Sequence, residues 1–224
     1  MSGAMPALIA GQHYEQEEDT TPNLRWALEY LRAALLHIPN KPIPLLPRSE
    51  PPVVIYTDAS DEVRGARVGG IVYVPGHRPA VFVYDVTHRT RALLGPQDKV
   101  INQAELLAAP LLVYTTPERL RGQDILWFLD NASAESALVK AGSPTCSMCY
   151  LALLASAALA GLDTRAWYEH VPSGDNPAYV LSREGYENVE VAAKVASGEW
   201  VSLVVVEPLA TRSASKNFCV RPVV

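Results

Sequence analysis

At 224 residues, 49% of them hydrophobic and 19% charged, the chain has the balance of a globular protein with one substantial core, which excludes wholesale disorder. A formal net charge of −5 excludes nucleic-acid affinity resting on a broad basic surface alone. No apolar run reaches the roughly 18 to 20 residues of a membrane span, three cysteines make no complete disulfide set, and no basic-then-apolar leader opens the chain, so a reducing intracellular compartment away from membranes is expected.

Residues 1–20, with the run QHYEQEEDTT, read as a flexible N-terminal segment. In TTPNLRWALEYLRAALLHI, Thr20, Thr21 and Asn23 are candidate caps, Pro22 suits a first turn, and Leu24, Ala27, Leu28, Leu31 and Leu35 trace one apolar helix face. The proline-rich PNKPIPLLPRSEPP then reads as an extended linker, so 21–51 form a connecting helix and linker, with a compact domain over 52–187 and a C-terminal extension over 188–224.

VVIYTD, apolar at nearly every position, predicts a central strand that ends on Asp58. RVGGIVYVP and AVFVYDV predict two more strands joined by a turn at Pro75 and Gly76. HRTRALLG at 88–95 is a basic cluster that reads equally as a solvated loop or a phosphate contact. VINQAELLAAPLLVYTT predicts a helix that Pro110 should kink or divide. DILWFLD is a fourth strand, NASAESALVKAG a short helix ended by Gly142, and CSMCYLALLASAALAG a more apolar, buried helix. TRAWYEHV is a fifth strand, and NPAYVLSREG starts a helix with Pro177 near its first turn. YENVEVAAKVASGEW continues as helix, and VSLVVVEPL has strand character suited to a sheet edge or another chain. Three strands, helix, strand, helical region, strand, helix is the order of an α/β mixed sheet with helices on its faces.

Asp58 and Asp130 each close a predicted strand, and Glu105 lies in the first turns of the helix between them. If strands one and four are parallel neighbours, their carboxyl ends meet where open α/β sheets place functional sites. Three acids so close raise one another's pKa unless a cation neutralises them, and hard oxygen ligands suit Mg²⁺ or Mn²⁺. Singly, each acid has a plainer reading: Asp58 as a turn residue, Asp130 with Asn131 as a helix cap, Glu105 as a first-turn acid on the helix dipole. Jointly, three structural acids need not fall in this order at meeting ends.

YTDAS, the glycine-bearing VGGIVYV, NQAELLAA, WFLDNASAES and HVPSGDNPAYVLSR, in that order over about 52–185, resemble the ribonuclease H domain of retroelement reverse transcriptases. ALEYLRAALLHIPNKPIP looks like the segment that joins a polymerase part to such a domain, which implies a reverse transcriptase polymerase or ribonucleoprotein partner. The resemblance implies a ribonuclease H-like five-stranded mixed sheet and hydrolysis of the RNA strand of an RNA/DNA hybrid by two Mg²⁺ or Mn²⁺ ions. It makes Asp58, Glu105 and Asp130 the metal ligands and Asn102 a minor-groove contact, where 2′-hydroxyls mark RNA. Asn131 and Ser133 match positions that contact the backbone or cap a helix.

One departure bears on activity. Such domains read NPAD before a serine-arginine element; here NPAYVLSR puts Tyr179 at the fourth carboxylate position, and a neutral phenol is a poor Mg²⁺ ligand. Asp175 compensates only if its loop folds back toward the metals. Two readings therefore stand: a working nuclease, weakened or Mn²⁺-dependent, and a degenerate scaffold or nucleic-acid-binding module; Tyr179 as a sporadic substitution is a third. The remaining features have plainer readings. C-S-M-C at 146–149 lacks the strand that precedes a redox pair and reads as packing cysteines, with no second pair for zinc. Trp127, Trp167 and Tyr168 read as core, His170 as structural, and Ser173 and Ser182 lack a base that would make them nucleophiles.

Overall fold

The computed structural model describes residue 32 and residues 51–63, 65–94 and 100–207. The N-terminal segment, nearly all of the expected connecting helix and linker, and the tail from 208 lie outside the described residues.

Six strands form one sheet: β1 (Val53–Glu62), β2 (Gly65–Tyr73), β3 (Ala80–Asp85), β4 (Asp124–Leu129), β5 (Arg165–His170) and β6 (Val201–Ser202), in the order β5-β4-β1-β2-β3-β6. β1 pairs in parallel with β4, β4 with β5 and β3 with β6, whereas β2 runs antiparallel to both neighbours. This is a mixed sheet of the expected α/β kind, with a short sixth strand added to the expected five. VSLVVVEPL supplies that strand by pairing at the β3 edge, where Val201 N–H donates to Pro79 O and Leu203 N–H to Val81 O.

Seven α-helices are described: α1 (His88–Leu94), α2 (Ile101–Thr115), α3 (Pro117–Leu120), α4 (Ala132–Lys140), α5 (Cys146–Gly161), α6 (Tyr179–Arg183) and α7 (Val189–Ala196). The period-2 alternation of strands divides them between the two sheet faces. Val53, Ile55 and Ala59 of β1, with Val68 and Val72 of β2, join the large core shared with α2, α4 and α5. Ile71 and Val81 face the other way, against Leu181 of α6 and Val191 of α7, with Trp200 packed alongside.

Four expectations change. The first strand does not end at Asp58: β1 stays paired with β2 as far as Glu62, although its ladder with β4 stops at Tyr56. Pro110 does not divide α2, which runs unbroken through it. An interior proline costs about 3 kcal/mol, but Leu106, Leu107, Leu111 and Leu112 are all buried, and each such burial is worth about 2 kcal/mol. HRTRALLG is largely the helix α1, tied to β1 by Arg91 Nη1 donating to Asp61 Oδ1 at 3.1 Å. Trp167 is 67% exposed because β5 is an edge strand with one face open, whereas Trp127 on the inner β4 is fully buried.

Close contacts explain the glycine pair of β2, with α6 against Gly69 and the Phe82 ring of β3 against Gly70. A Cβ on Gly69 would stand 2.6 Å from Leu181 Cβ and 2.7 Å from Ser182 N, and one on Gly70 would stand 2.3 Å from the Phe82 ring. The bare backbone of Gly69 lets α6 lie against β1 and β2, which brings the serine-arginine element to the acids.

Candidate metal centre

Where the β1–β4 ladder stops, the two strands leave a crevice at their carboxyl ends. Asp58 lies two residues past that point, on the same side as Ser60 and facing α6, and Asp130 directly follows Leu129 of β4. α2 adds Glu105 from its second turn. One carboxylate oxygen from each of Asp58, Glu105 and Asp130 lies within 4.8 Å of the others. Asp175, the acid that would compensate if its loop folded back, is not part of that group.

Burial makes this arrangement unstable on its own terms. Asp58 is 1% and Glu105 3% exposed. Asp58 Oδ2 accepts from the Ser182 hydroxyl, whereas Asp58 Oδ1 and Glu105 Oε2 are buried without any hydrogen-bond partner. Burial, and then the charges of Asp58 and Asp130, push the Glu105 carboxyl up to about 9, against a partial offset by the Ala59 N–H. Burial raises Asp58 to about 6, opposed by its Ser182 hydrogen bond and reinforced by Asp130. Orphaned buried carboxylate oxygens converging from three elements fit a hard divalent cation, which satisfies them and removes the repulsion together.

Residues that sequence reasoning set aside or did not single out support the cluster. Ser173 Oγ donates to Asp130 Oδ2 at 2.6 Å. Asn176 Nδ2 donates to Thr57 O at 2.9 Å while its Oδ1 accepts from Ala178 N, which fixes the turn into α6. Ser60 Oγ donates to Ser182 O at 2.6 Å, so β1 grips α6 on both sides of Asp58's hydrogen bond. None is a nucleophile; each holds a carboxylate or the helix beside it. The serine-arginine pair within NPAYVLSR signals Ser182 in the sequence.

The remaining expected site residues lie around this centre. Asn131 caps α4, its Oδ1 accepting from Ser133 N and Ala134 N at 3.0 Å each, and its Nδ2 donates to Asn102 Oδ1 at 2.9 Å. Asn102 is exposed. Tyr179 opens α6 and is 47% exposed, with the Arg183 guanidinium 5.0 Å from its ring centroid. His170 ends β5 and is exposed. Cys146 and Cys149 lie in the first turn of α5 without a disulfide; Cys146 is exposed rather than packed.

No known family profile matches the sequence, and no curated protein matches it. Among solved structures, ribonuclease H1 from the halophilic archaeon Halobacterium salinarum is similar at 20% identity and a TM-score of 0.47, covering 60% of this chain and 97% of its own. The N-terminal ribonuclease H domain of a Mycobacterium tuberculosis protein, solved as a fusion with maltose-binding protein, is similar at 17% identity and a TM-score of 0.44, covering 65% and 97%. The fold assignment rests on strand order and direction.

Proposed function

We propose that this chain is a divalent-metal-dependent nuclease of ribonuclease H type that hydrolyses the RNA strand of RNA/DNA hybrids. One observation carries the proposal: three carboxylates from β1, α2 and the end of β4 within 4.8 Å, two of them buried with orphaned oxygens. Asp58, Glu105 and Asp130 would hold Mg²⁺ or Mn²⁺, which when bound supplies activation of water and stabilisation of the leaving oxygen. Ser182 and Ser173 hold Asp58 and Asp130 in place by donating to them. The exposed Asn102, braced by Asn131, would meet a 2′-hydroxyl in the minor groove. With a net charge of −5, hybrid affinity rests on that local contact and on a partner, for which a reverse transcriptase polymerase or ribonucleoprotein is the proposal, with 52–187 as the catalytic unit. No helix among the described residues is long and apolar enough to cross a membrane.

The partly exposed Tyr179 with Arg183 stacked on it favours a second reading, a ribonuclease H-like scaffold that binds hybrid without cutting it. An RNA/DNA hybrid with end-labelled RNA, incubated with the chain in Mg²⁺ or Mn²⁺, decides between them. Cuts confined to the RNA strand, abolished by Asp58→Asn, support the nuclease; hybrid binding with no cleavage in either metal leaves the scaffold.

A further inference from the structure

The sheet is finished differently on its two faces. Ile55 of β1 with Ile125 and Trp127 of β4 point into the large core and are buried, whereas the residues between them point the other way. Pairing puts Val54 beside Leu126, Tyr56 beside Phe128 and Leu126 beside Trp167, so these five side chains form one patch across β1, β4 and β5. Tyr56 stacks on Phe128 with ring centroids 4.8 Å apart, and Trp167 stands 67% exposed at the edge. α6 and α7 pack on this face over Ile71 of β2 and Val81 of β3, but none of the five joins either core cluster. β4 pairs in parallel on both sides, and strands of that kind are ordinarily covered on both faces. A contiguous apolar patch left half-buried on such strands marks a docking surface.

We propose that this patch is the dock for residues 21–38 of the same chain, packed on it as an amphipathic helix. Leu24, Ala27, Leu28, Leu31 and Leu35 fall on one stripe at helical spacing. Arg32, the one described residue of the segment, is helical and exposed, as a position beside that stripe should be. Chain connection brings the segment within reach. It feeds into β1 through residues 39–52, and Val54, the first residue of the patch, directly follows the entry at Val53. A proline-rich stretch of that length spans up to about 43 Å at ~3.1 Å per residue, whereas the patch crosses only three strands set ~4.8 Å apart. A helix ~10 Å across covers that width. Charge agrees at the rim: Arg25 and Arg32 border the stripe, and the exposed Glu169 borders the patch on β5 beside Phe128. A tethered segment also acts at an effective concentration of roughly millimolar, which favours it over a second copy of the chain.

Hydroxyl-radical footprinting of the full chain, read by mass spectrometry at Tyr56, Phe128 and Trp167 against the urea-unfolded chain, tests this without reference to metal or cleavage. The three aromatics are expected to be protected at every protein concentration. The double variant Leu28→Asp, Leu31→Asp should raise their reactivity about tenfold, as when a dock filled about 90% of the time is emptied. Ala33→Asp, which puts the same charge on the side away from the stripe, should leave it unchanged. Trp167 reacting in the unmodified chain as it does in the unfolded one would overturn the proposal, and that result needs no variant. Protection that fades on dilution would assign the patch to a second copy, and protection that appears only with added RNA/DNA hybrid would assign it to nucleic acid; either overturns the proposal, as does an equal effect of Ala33→Asp.

Discussion

Glu105 carries its proton up to about pH 9 in the metal-free fold because it is buried beside two other acids. Its ordinary value is 4.5, so between those limits the folded chain holds a proton that the unfolded chain has released. The stability this contributes is complete below about pH 4.5 and is lost as pH climbs toward 9; Asp58 acts in the same direction between 3.8 and about 6. The melting temperature of the metal-free chain should therefore fall between pH 6 and 9 by about 10 °C, and Mg²⁺ should restore it most strongly at the alkaline end. Scanning calorimetry with and without chelator measures both, and Glu105→Gln should flatten the slope. Ser182 is the second residue-scale test. Its hydroxyl orients Asp58 and keeps it acidic, so Ser182→Ala should weaken metal binding about tenfold, while the fold, read by circular dichroism, is retained.

Elements decide how much of this was legible in the sequence. Asp58, Glu105 and Asp130 could be picked out because each sits beside an apolar run whose period betrays a strand or helix, and chain order then implies that the runs meet. The end of β1 was hidden: after Asp58 the strand continues through Ala59, Ser60, Asp61 and Glu62, small and polar residues held by pairing with β2, which sequence periodicity does not report. α2 read as broken because local propensity at Pro110 is visible and the burial that offsets it is not. Trp167 misled for a related reason, since a tryptophan in a predicted strand reads as core, and that β5 lies at an edge with one face open is not visible locally. The contacts of Ser182, Ser173 and Asn176 depend on α6 settling against Gly69 of β2. Gly69→Ala should show that dependence: its Cβ would meet backbone atoms of α6 below 3 Å, costing about 1 to 3 kcal/mol and pulling Ser182 away from Asp58. Reduced thermal stability together with weaker Mn²⁺ binding is the expected result; lost stability with unchanged metal affinity would show that α6 can shift without disturbing the acids.

Across the whole molecule, the acidic site depends on packing of the sheet face that Asp58 shares with α6. α6 is only five residues long and too short to be stable alone. Leu181 on its buried face packs with Ile71 and Val81 of the sheet and with Val191 of α7. Beyond α7, Trp200 joins the same cluster and Val201 extends the sheet at β3. Residues 189–202 thus cover the apolar side of the element whose other end holds Asp58 through Ser182. A chain ending at residue 187 keeps all three acids yet exposes Leu181, Ile71 and Val81 to water, and burying a side chain of this kind is worth about 1.5 to 3 kcal/mol. That shortened chain should unfold at lower denaturant concentration than the full chain and bind Mn²⁺ less tightly. Restoring the segment to residue 207 should recover both properties together, because one helix links the covered apolar face to the metal ligands.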